Sequence, residues 1–207
     1  MTTRFSSEQY LDDVRAGLAR SVEYFDSKNR AERERWVCRE FVHNLNIRAR
    51  KGSFKSPPDD PPDVLYRGCQ FEVKEILDDE RRRHDEYKDM LEKAWEATDP
   101  SELLKSYSPK FITPIQLGSK VLAKVDALSR KYEPRLKQSL DLVFYVNLLE
   151  TSLEEGPMPA QSDFVRAGWR SVSALMGWGS LVFHARRAAP RLLRAAAGTV
   201  SVRKFRQ

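Results

Sequence analysis

Four prolines fall within six positions, at Pro57, Pro58, Pro61 and Pro62. Each lacks an amide donor and holds φ near −65°, which closes this stretch to helix and to any inner strand. The segment Arg48 to Pro62 therefore reads as an exposed connection, basic at its start, and the periodicity of the chain differs on its two sides. Before it, Tyr10, Leu11, Val14, Leu18, Val22 and Phe25 recur at helical spacing between Ser7 and Asn29, with Ser6 or Ser7 as cap. A second helix is predicted over Ala31 to Leu45, where Val37, Phe41 and Leu45 are spaced by four. After the prolines the period drops to two. Asp63 to Arg67 and Cys69 to Leu77 are short, apolar-rich segments joined at Arg67-Gly68, the pattern of a β-hairpin.

Downstream, Asp78-Asp79 is placed to cap a charged helix over Glu80 to Ala97, ended by Asp99-Pro100. Pro114 opens a helix predicted from Thr113 to Tyr132. Leu140 to Leu149 is dense enough in Leu, Val, Phe and Tyr to form a buried strand. Between Ser162 and Val200 the pattern gives a helix, a glycine-interrupted apolar segment and a basic, alanine-rich helix over Arg186 to Ala197. This order predicts an α/β fold, a small mixed sheet flanked by helices. With 207 residues, 41% hydrophobic and 10% aromatic, the chain supports one cored domain over 1–207 and excludes disordered or collagen-like classes.

Compartment follows from what the chain lacks. Met1 to Tyr10 holds no apolar core of a secretory signal, so a cytoplasmic location is expected, with Cys38 and Cys69 as reduced, buried thiols. Three histidines, His43, His84 and His184, stand at unrelated positions and argue against zinc. The uncharged run Ser171 to Ala185 is shorter than the ~20 residues that cross a bilayer, so no stable membrane insertion is expected.

Charge is unevenly distributed. Residues 164–207 carry nine basic side chains and no acid, whereas residues 1–163 hold 27 basic and 30 acidic ones, so the net +6 is a body of −3 and a tail of +9. Such asymmetry points to a polyanionic partner. Within the tail, Arg187, Arg191 and Arg194 would share one face of the predicted helix, a stripe suited to a phosphate backbone. An anionic membrane surface or simple core coverage would use the same pattern.

The hairpin carries the chemistry. On its second strand Glu72 and Lys74 point to one face while Phe71 and Val73 point to the other. A two-residue turn at Arg67-Gly68 pairs Tyr66 with Cys69 and sets Asp63 opposite Glu72, their Cβ atoms about 5 Å apart. A three-residue loop with Gly68 in the left-handed position would shift that pairing by one. Two carboxylates so close repel unless a cation lies between them, and oxygen ligands suit Mg²⁺ or Mn²⁺. Lys74 would orient or deprotonate a metal-bound water, or offset charge in the transition state.

Pro62-Asp63 followed by Glu72-Val73-Lys74 resembles the motif of the PD-(D/E)XK nuclease superfamily, the restriction-endonuclease-like fold. That resemblance implies Asp63 and Glu72 as metal ligands, Lys74 as the water-assisting residue, Mg²⁺ or Mn²⁺ as cofactor and DNA as substrate. It also implies a further acid on the preceding helix, for which Glu34 fits best and Glu40 competes, although the glycine some members place ahead of that acid is absent. The Glu72-Val73-Lys74 strand running into Arg81-Arg82-Arg83-His84-Asp85-Glu86-Tyr87 is similar, more narrowly, to a bacterial domain family of uncharacterised members named as endonucleases from their fold.

Blander readings stand beside these. Asp63, Glu72 and Lys74 could form a solvated salt-bridge ladder, and Glu34 and Glu40 an ordinary charged helix face. Arg81, Arg82 and Arg83 could grip phosphate or pair with neighbouring acids, and His84 could be a general acid or only a surface residue. Trp95, Trp169 and Trp178 read as core or interface fillers. The alternative function is a non-catalytic module, binding nucleic acid or protein on the same fold.

Overall fold

The computed structural model describes residues 6–204. In chain order its helices are α1 (Ser7–Phe25), α2 (Arg30–Asn44), α3 (Arg83–Glu96), α4 (Pro114–Ser129), α5 (Pro134–Lys137), α6 (Gln161–Val165) and α7 (Arg191–Ala196). The strands are β1 (Val64–Tyr66), β2 (Cys69–Leu77), β3 (Lys110–Ile112), β4 (Asp141–Asn147), β5 (Thr151–Leu153), β6 (Ser171–Met176), β7 (Gly179–Ala185) and β8 (Thr199–Val202). Where the sequence reading treats the chain as one domain, the contacts group it into two compact units. One comprises the segment ending at Arg30 together with Asp78–Ser108; the other comprises Ala31–Leu77 and the chain from Pro109 onward.

The first unit is built on α1 and α3. Ser6 caps α1 by accepting from the Gln9 amide at 3.1 Å, and Leu11 is its buried apolar contact. Arg15 donates to the carbonyls of Ala94 and Ala97 at 2.9 and 3.1 Å, satisfying the end of α3. Phe25 stacks on Tyr87 with centroids 5.1 Å apart, and the Arg83 guanidinium lies 4.6 Å above Phe25. The predicted start of α3 is corrected here. Glu80 takes a positive φ of 63° and Arg82 is extended, so the helix begins at Arg83 and Asp78-Asp79 do not cap it. Arg81 is held by Glu86 at 2.7 Å and by Asp78, and Arg83 is buried.

The second unit is a six-stranded sheet in the order β1-β2-β4-β6-β7-β8. β2, β4 and β6 run parallel, and the outer pairings are antiparallel. Alternation along β4 feeds two cores. Leu142, Phe144 and Val146 join Ile76 under Leu117, Val121 and Val125 of α4. Val143 joins Val64, Tyr66 and Phe71 under Val37, Cys38, Phe41 and Val42 of α2. The apolar run Ser171 to Ala185 is the β6–β7 hairpin, turning at Gly177-Trp178 with φ 53° at Gly177. Every residue of β6 is buried, so the strand shows no polar alternation.

A buried ion pair ties three strands together. Arg170 grips both oxygens of fully buried Asp141 and donates to the Gly68 carbonyl at 3.1 Å. Asp141 also accepts from the Ser171 hydroxyl at 2.8 Å and from the Gln70 amide at 3.0 Å. The hairpin turn is thereby fixed to the starts of β4 and β6.

The basic helix predicted over Arg186 to Ala197 is corrected to α7, six residues long, because residues 186–189 form a turn and Pro190 precedes the helix. Arg187 therefore does not share a helix face with Arg191 and Arg194. No helix among the described residues is long and apolar enough to cross a membrane.

Candidate functional site

The observed register is the one the two-residue turn demands. Tyr66 pairs with Cys69, Leu65 with Gln70 and Val64 with Phe71, so the next step places Asp63 opposite Glu72. Arg67 and Gly68 adopt φ of 44° and 80°, a pair of positive values that a type I′ turn requires. Arginine accepts this conformation at a cost, and the Arg67 guanidinium lies 5.3 Å from the Tyr66 ring centroid.

On β2, Glu72, Lys74 and Ile76 face α4, whereas Phe71 and Val73 face α2. This face is covered rather than solvated. Glu72 is 1% exposed and Asp63 6%, which removes the reading of an exposed salt-bridge ladder. Glu72 Oε1 accepts hydrogen bonds from Lys74 Nζ and from the Tyr132 hydroxyl, the latter at 2.5 Å. Its other oxygen, Oε2, is buried and has no hydrogen-bond partner. Asp63 Oδ2 accepts from the Val73 amide at 2.8 Å, which fixes the carboxylate across the hairpin.

A third acid completes the group. Asp60, Asp63 and Glu72 each bring one carboxylate oxygen to a region where the three lie within 4.8 Å of one another. Neighbouring ligands of an octahedral Mg²⁺ ion stand about 3 Å apart and opposite ones about 4.1 Å, so these three carboxylates could close on a small divalent cation by side-chain movement. Asp60 sits in the proline segment, where the peptide bonds Asp60–Pro61 and Pro61–Pro62 are both cis. The sequence offers no periodicity there; its one available signal is the acid pair Asp59-Asp60, set between proline pairs just before the motif Asp.

Electrostatics follow from this enclosure. Burial raises the Glu72 carboxyl above its usual range and the Asp63 charge adds to that, while the bonds from Lys74 and Tyr132 oppose it. Burial also pulls Lys74 down, but the hydrogen bond and charge of Glu72, with the charge of Asp63, outweigh it and keep the ammonium protonated. The Tyr132 hydroxyl is pushed up to about 12 by burial and by Glu72, so it acts as a donor. Tyr132 packs edge-on against buried Trp169, centroids 5.0 Å apart, which holds its hydroxyl toward Glu72.

Glu34 and Glu40, the acids expected beside Asp63 and Glu72, are placed as follows. Glu34 is not among the three acids whose oxygens converge. It lies one turn before Cys38 on α2, and the Cys38 thiol is pushed up by burial and then by the charges of Asp63, Cys69 and Glu34. Glu34 thus shares the α2 face of Cys38, which packs against the hairpin. Glu40 is engaged elsewhere, bonded to Arg203 at 2.5 Å and to Arg39 at 3.3 Å. His84 belongs to α3 of the other unit. Trp169 is core, as expected, whereas Trp95 and Trp178 are exposed.

Much of the basic tail is structural. Besides Arg170, Arg186 donates to the carbonyls of Trp169 and Val165, Arg194 to that of Ala189, and Arg203 to Glu40 and Asn44. Arg187 and Arg191 are exposed. Arg206 lies outside the described residues.

A family model described as "Putative endonuclease, protein of unknown function (DUF1780)" matches residues 6–205. No curated protein matches the chain. A solved structure from Pseudomonas aeruginosa strain PAO1, a protein of unknown function placed in the monooxygenase superfamily, is similar over 96% of both chains, with a TM-score of 0.65 and 26% sequence identity.

Proposed function

The chain belongs to the DUF1780 family, and from that premise we propose that it is a divalent-cation-dependent nuclease that hydrolyses phosphodiester bonds in DNA on a restriction-endonuclease-like sheet. One observation carries the reading: a buried Glu72 with an orphaned oxygen converges with Asp60 and Asp63, and a lysine ammonium sits beside them. A buried carboxylate oxygen without a partner is costly, and a cation satisfies it.

In this reading Asp60, Asp63 and Glu72 hold Mg²⁺ or Mn²⁺. When bound, the ion polarises the scissile phosphate and lowers the pKa of a coordinated water. Asp63 is kept in place by the Val73 amide and Glu72 by Tyr132, so the donors stay oriented before substrate arrives. Lys74, protonated and anchored to Glu72, aims its remaining N–H bonds at the attacking water or at a phosphate oxygen, where negative charge grows.

An all-carboxylate set suits a hard, redox-silent cation and hydrolysis. It contains none of the imidazole ligands of the two-histidine, one-carboxylate iron centres of oxygenases, so the site does not favour the chemistry in the neighbour's description.

The test is a cleavage assay on single- and double-stranded DNA with Mg²⁺ or Mn²⁺. Wild type should cut, chelation should abolish cutting, and Lys74→Ala and Asp63→Asn should each lose at least about 100-fold. Cleavage by Lys74→Ala at the wild-type rate, or no cleavage by wild type with either ion, overturns the proposal.

A further inference from the structure

The basic tail is the part of the chain whose composition most resembles a nucleic-acid grip, yet much of it is committed to holding the fold. A different set of cations precedes the acid cluster in the chain. Residues 41–58 contain no acid and four cations, Arg48, Arg50, Lys51 and Lys55. All four are exposed, and so is Arg67 on the hairpin turn.

The sheet places one of them. Lys55 forms an antiparallel bridge with Leu65 on the outer edge of β1, bonded in both directions at 3.1 and 2.7 Å. Residues directly opposed across an antiparallel pair point to the same face, so Lys55 shares the face of Leu65. By the observed register that is also the face of Asp63, Gln70, Glu72 and Lys74. Phe54 confirms the alternation, because it points the other way and stacks on Tyr66 with centroids 4.3 Å apart. Lys55, Arg67, Gln70 and Ser53 line a groove of about 390 Å³ along this edge. Neither Lys55 nor Arg67 forms an ion pair among the described residues.

Distances along the strand connect groove and cluster. Two residues at about 3.4 Å separate Leu65 from Asp63, and Lys55 lies about 5 Å to the side, so its Cα is about 8 Å from that of Asp63. Arg67 is about 13 Å along the strand. A nucleic-acid strand rising 3.4 Å per nucleotide would meet Lys55 about two, and Arg67 about four, nucleotides from the acids.

We propose that this hairpin-edge groove, with Lys55 and Arg67 as its phosphate contacts and Arg48, Arg50 and Lys51 extending it, is where the chain grips the sugar-phosphate backbone of nucleic acid. The inference rests on the nuclease reading for its partner and adds the surface. It assigns no base recognition, because these side chains meet phosphates and not base edges.

The probe is a fluorescein-labelled 30-mer DNA, duplex and single-stranded, titrated with full-length protein by anisotropy in EDTA at several salt concentrations. The variant is Lys55→Gln with Arg67→Asn, asparagine being chosen because it tolerates the positive φ at residue 67. Each phosphate contact contributes about 0.9 to the log–log salt slope on duplex and about 0.7 on single strands, so the double variant should lower the duplex slope by about 1.8 and weaken duplex binding about 60-fold at 0.1 M salt, and single-strand binding about 25-fold. Its melting temperature should match wild type, and Arg187→Gln with Arg191→Gln should bind like wild type.

Unchanged affinity and slope in Lys55→Gln/Arg67→Asn overturns the inference and leaves these cations the role of blunting a sheet edge. Binding of anionic phosphatidylserine vesicles but not of DNA also overturns it. Cleavage is read separately: a wild type that binds DNA through the groove but never cuts defeats the nuclease reading alone, and a chain that cuts with the groove neutralised defeats the groove alone.

Discussion

Glu72→Gln separates a metal ligand from a structural carboxylate, because the two roles predict opposite changes in stability. Burial leaves the Glu72 carboxyl above its usual range in the folded chain despite Lys74 and Tyr132. A carboxyl whose folded pKa is raised contributes stability below its unfolded pKa of about 4.3 and loses that contribution as pH rises through the folded value. At neutral pH the ionised Glu72 therefore costs stability in the absence of metal. Glutamine keeps the volume, its carbonyl still accepts from Lys74 and Tyr132, and the Asp63 charge still supports the Lys74 ammonium, so the metal-free variant should melt no lower than wild type. Metal reverses the order. With 10 mM ion and a Kd of about 1 mM, the wild-type fold gains RT ln 11, about 1.4 kcal/mol. At about 2–4 °C per kcal/mol for a chain of this size, that is a rise of about 3–6 °C. The variant should show none. Thermal melts at pH 7.5, with EDTA and with 10 mM MgCl₂ or MnCl₂, measure all four states. A variant that melts well below wild type in EDTA, yet still rises with metal, would refute both the electrostatic accounting and the ligand assignment.

Other substitutions test neighbouring steps. Tyr132→Phe removes the 2.5 Å bond to Glu72 Oε1 while keeping the ring against Trp169; Mn²⁺ affinity by calorimetry should fall about 10- to 100-fold with little change in fold, and unchanged affinity would deny Tyr132 a positioning role. Arg170→Met strands the buried Asp141 carboxylate, with only the Ser171 hydroxyl and Gln70 amide left to it. It should destabilise by about 3–5 kcal/mol, lowering the melting temperature by about 6–20 °C, and a loss under 1 kcal/mol by urea titration would show the pair to be dispensable. His184 is buried, and burial, then the Arg186 charge, depress its pKa below the ordinary 6.5. Its neutral form is the folded one, so stability should be full above about pH 6.5 and fall as pH drops below it; His184→Asn should flatten that slope between pH 7.5 and 5.5.

The hairpin was legible because turn chemistry and alternation agree on it. Arg67-Gly68 names the turn, and a fixed turn fixes the register, so the facing of Asp63 and Glu72 follows from local rules. α1, α2 and α4 were legible for the same kind of reason, each having an apolar stripe, and α1 and α4 a side-chain cap as well. The β6–β7 hairpin was not. Both faces of those strands are buried between α2 and α4, which erases the polar half of the alternation and leaves an apolar run that periodicity cannot assign. Asp60 and Tyr132 escaped for a different reason. Neither lies in a periodic segment with its partners, and each reaches Glu72 only through the path of the chain, from a proline loop and from beyond the end of α4.

Charge was misleading at the level of counts and informative at the level of pairing. The nine cations of the tail stood out because residues 164–207 contain no acid. In space acids and carbonyls do lie near them: Arg170 closes on Asp141, Arg203 on Glu40, and Arg186 and Arg194 on main-chain oxygens. A cation held in this way has spent its attraction inside the molecule and has little left for a phosphate. Lys55 and Arg67 are the reverse case. They raise no local average, since Asp59, Asp60 and Asp63 lie between them. Yet Asp60 and Asp63 converge with Glu72 in one cluster, while Lys55, on the same face, and Arg67, at the turn, both stay exposed along the hairpin-edge groove. A polyanion drawn to the cations would therefore be delivered to the acids, and those acids, which would repel it when bare, admit it once a divalent ion neutralises them. Metal should consequently tighten DNA binding by wild type and not by Glu72→Gln, a difference that anisotropy in Ca²⁺ against EDTA reads directly, and equal tightening in both would break the link between groove and cluster.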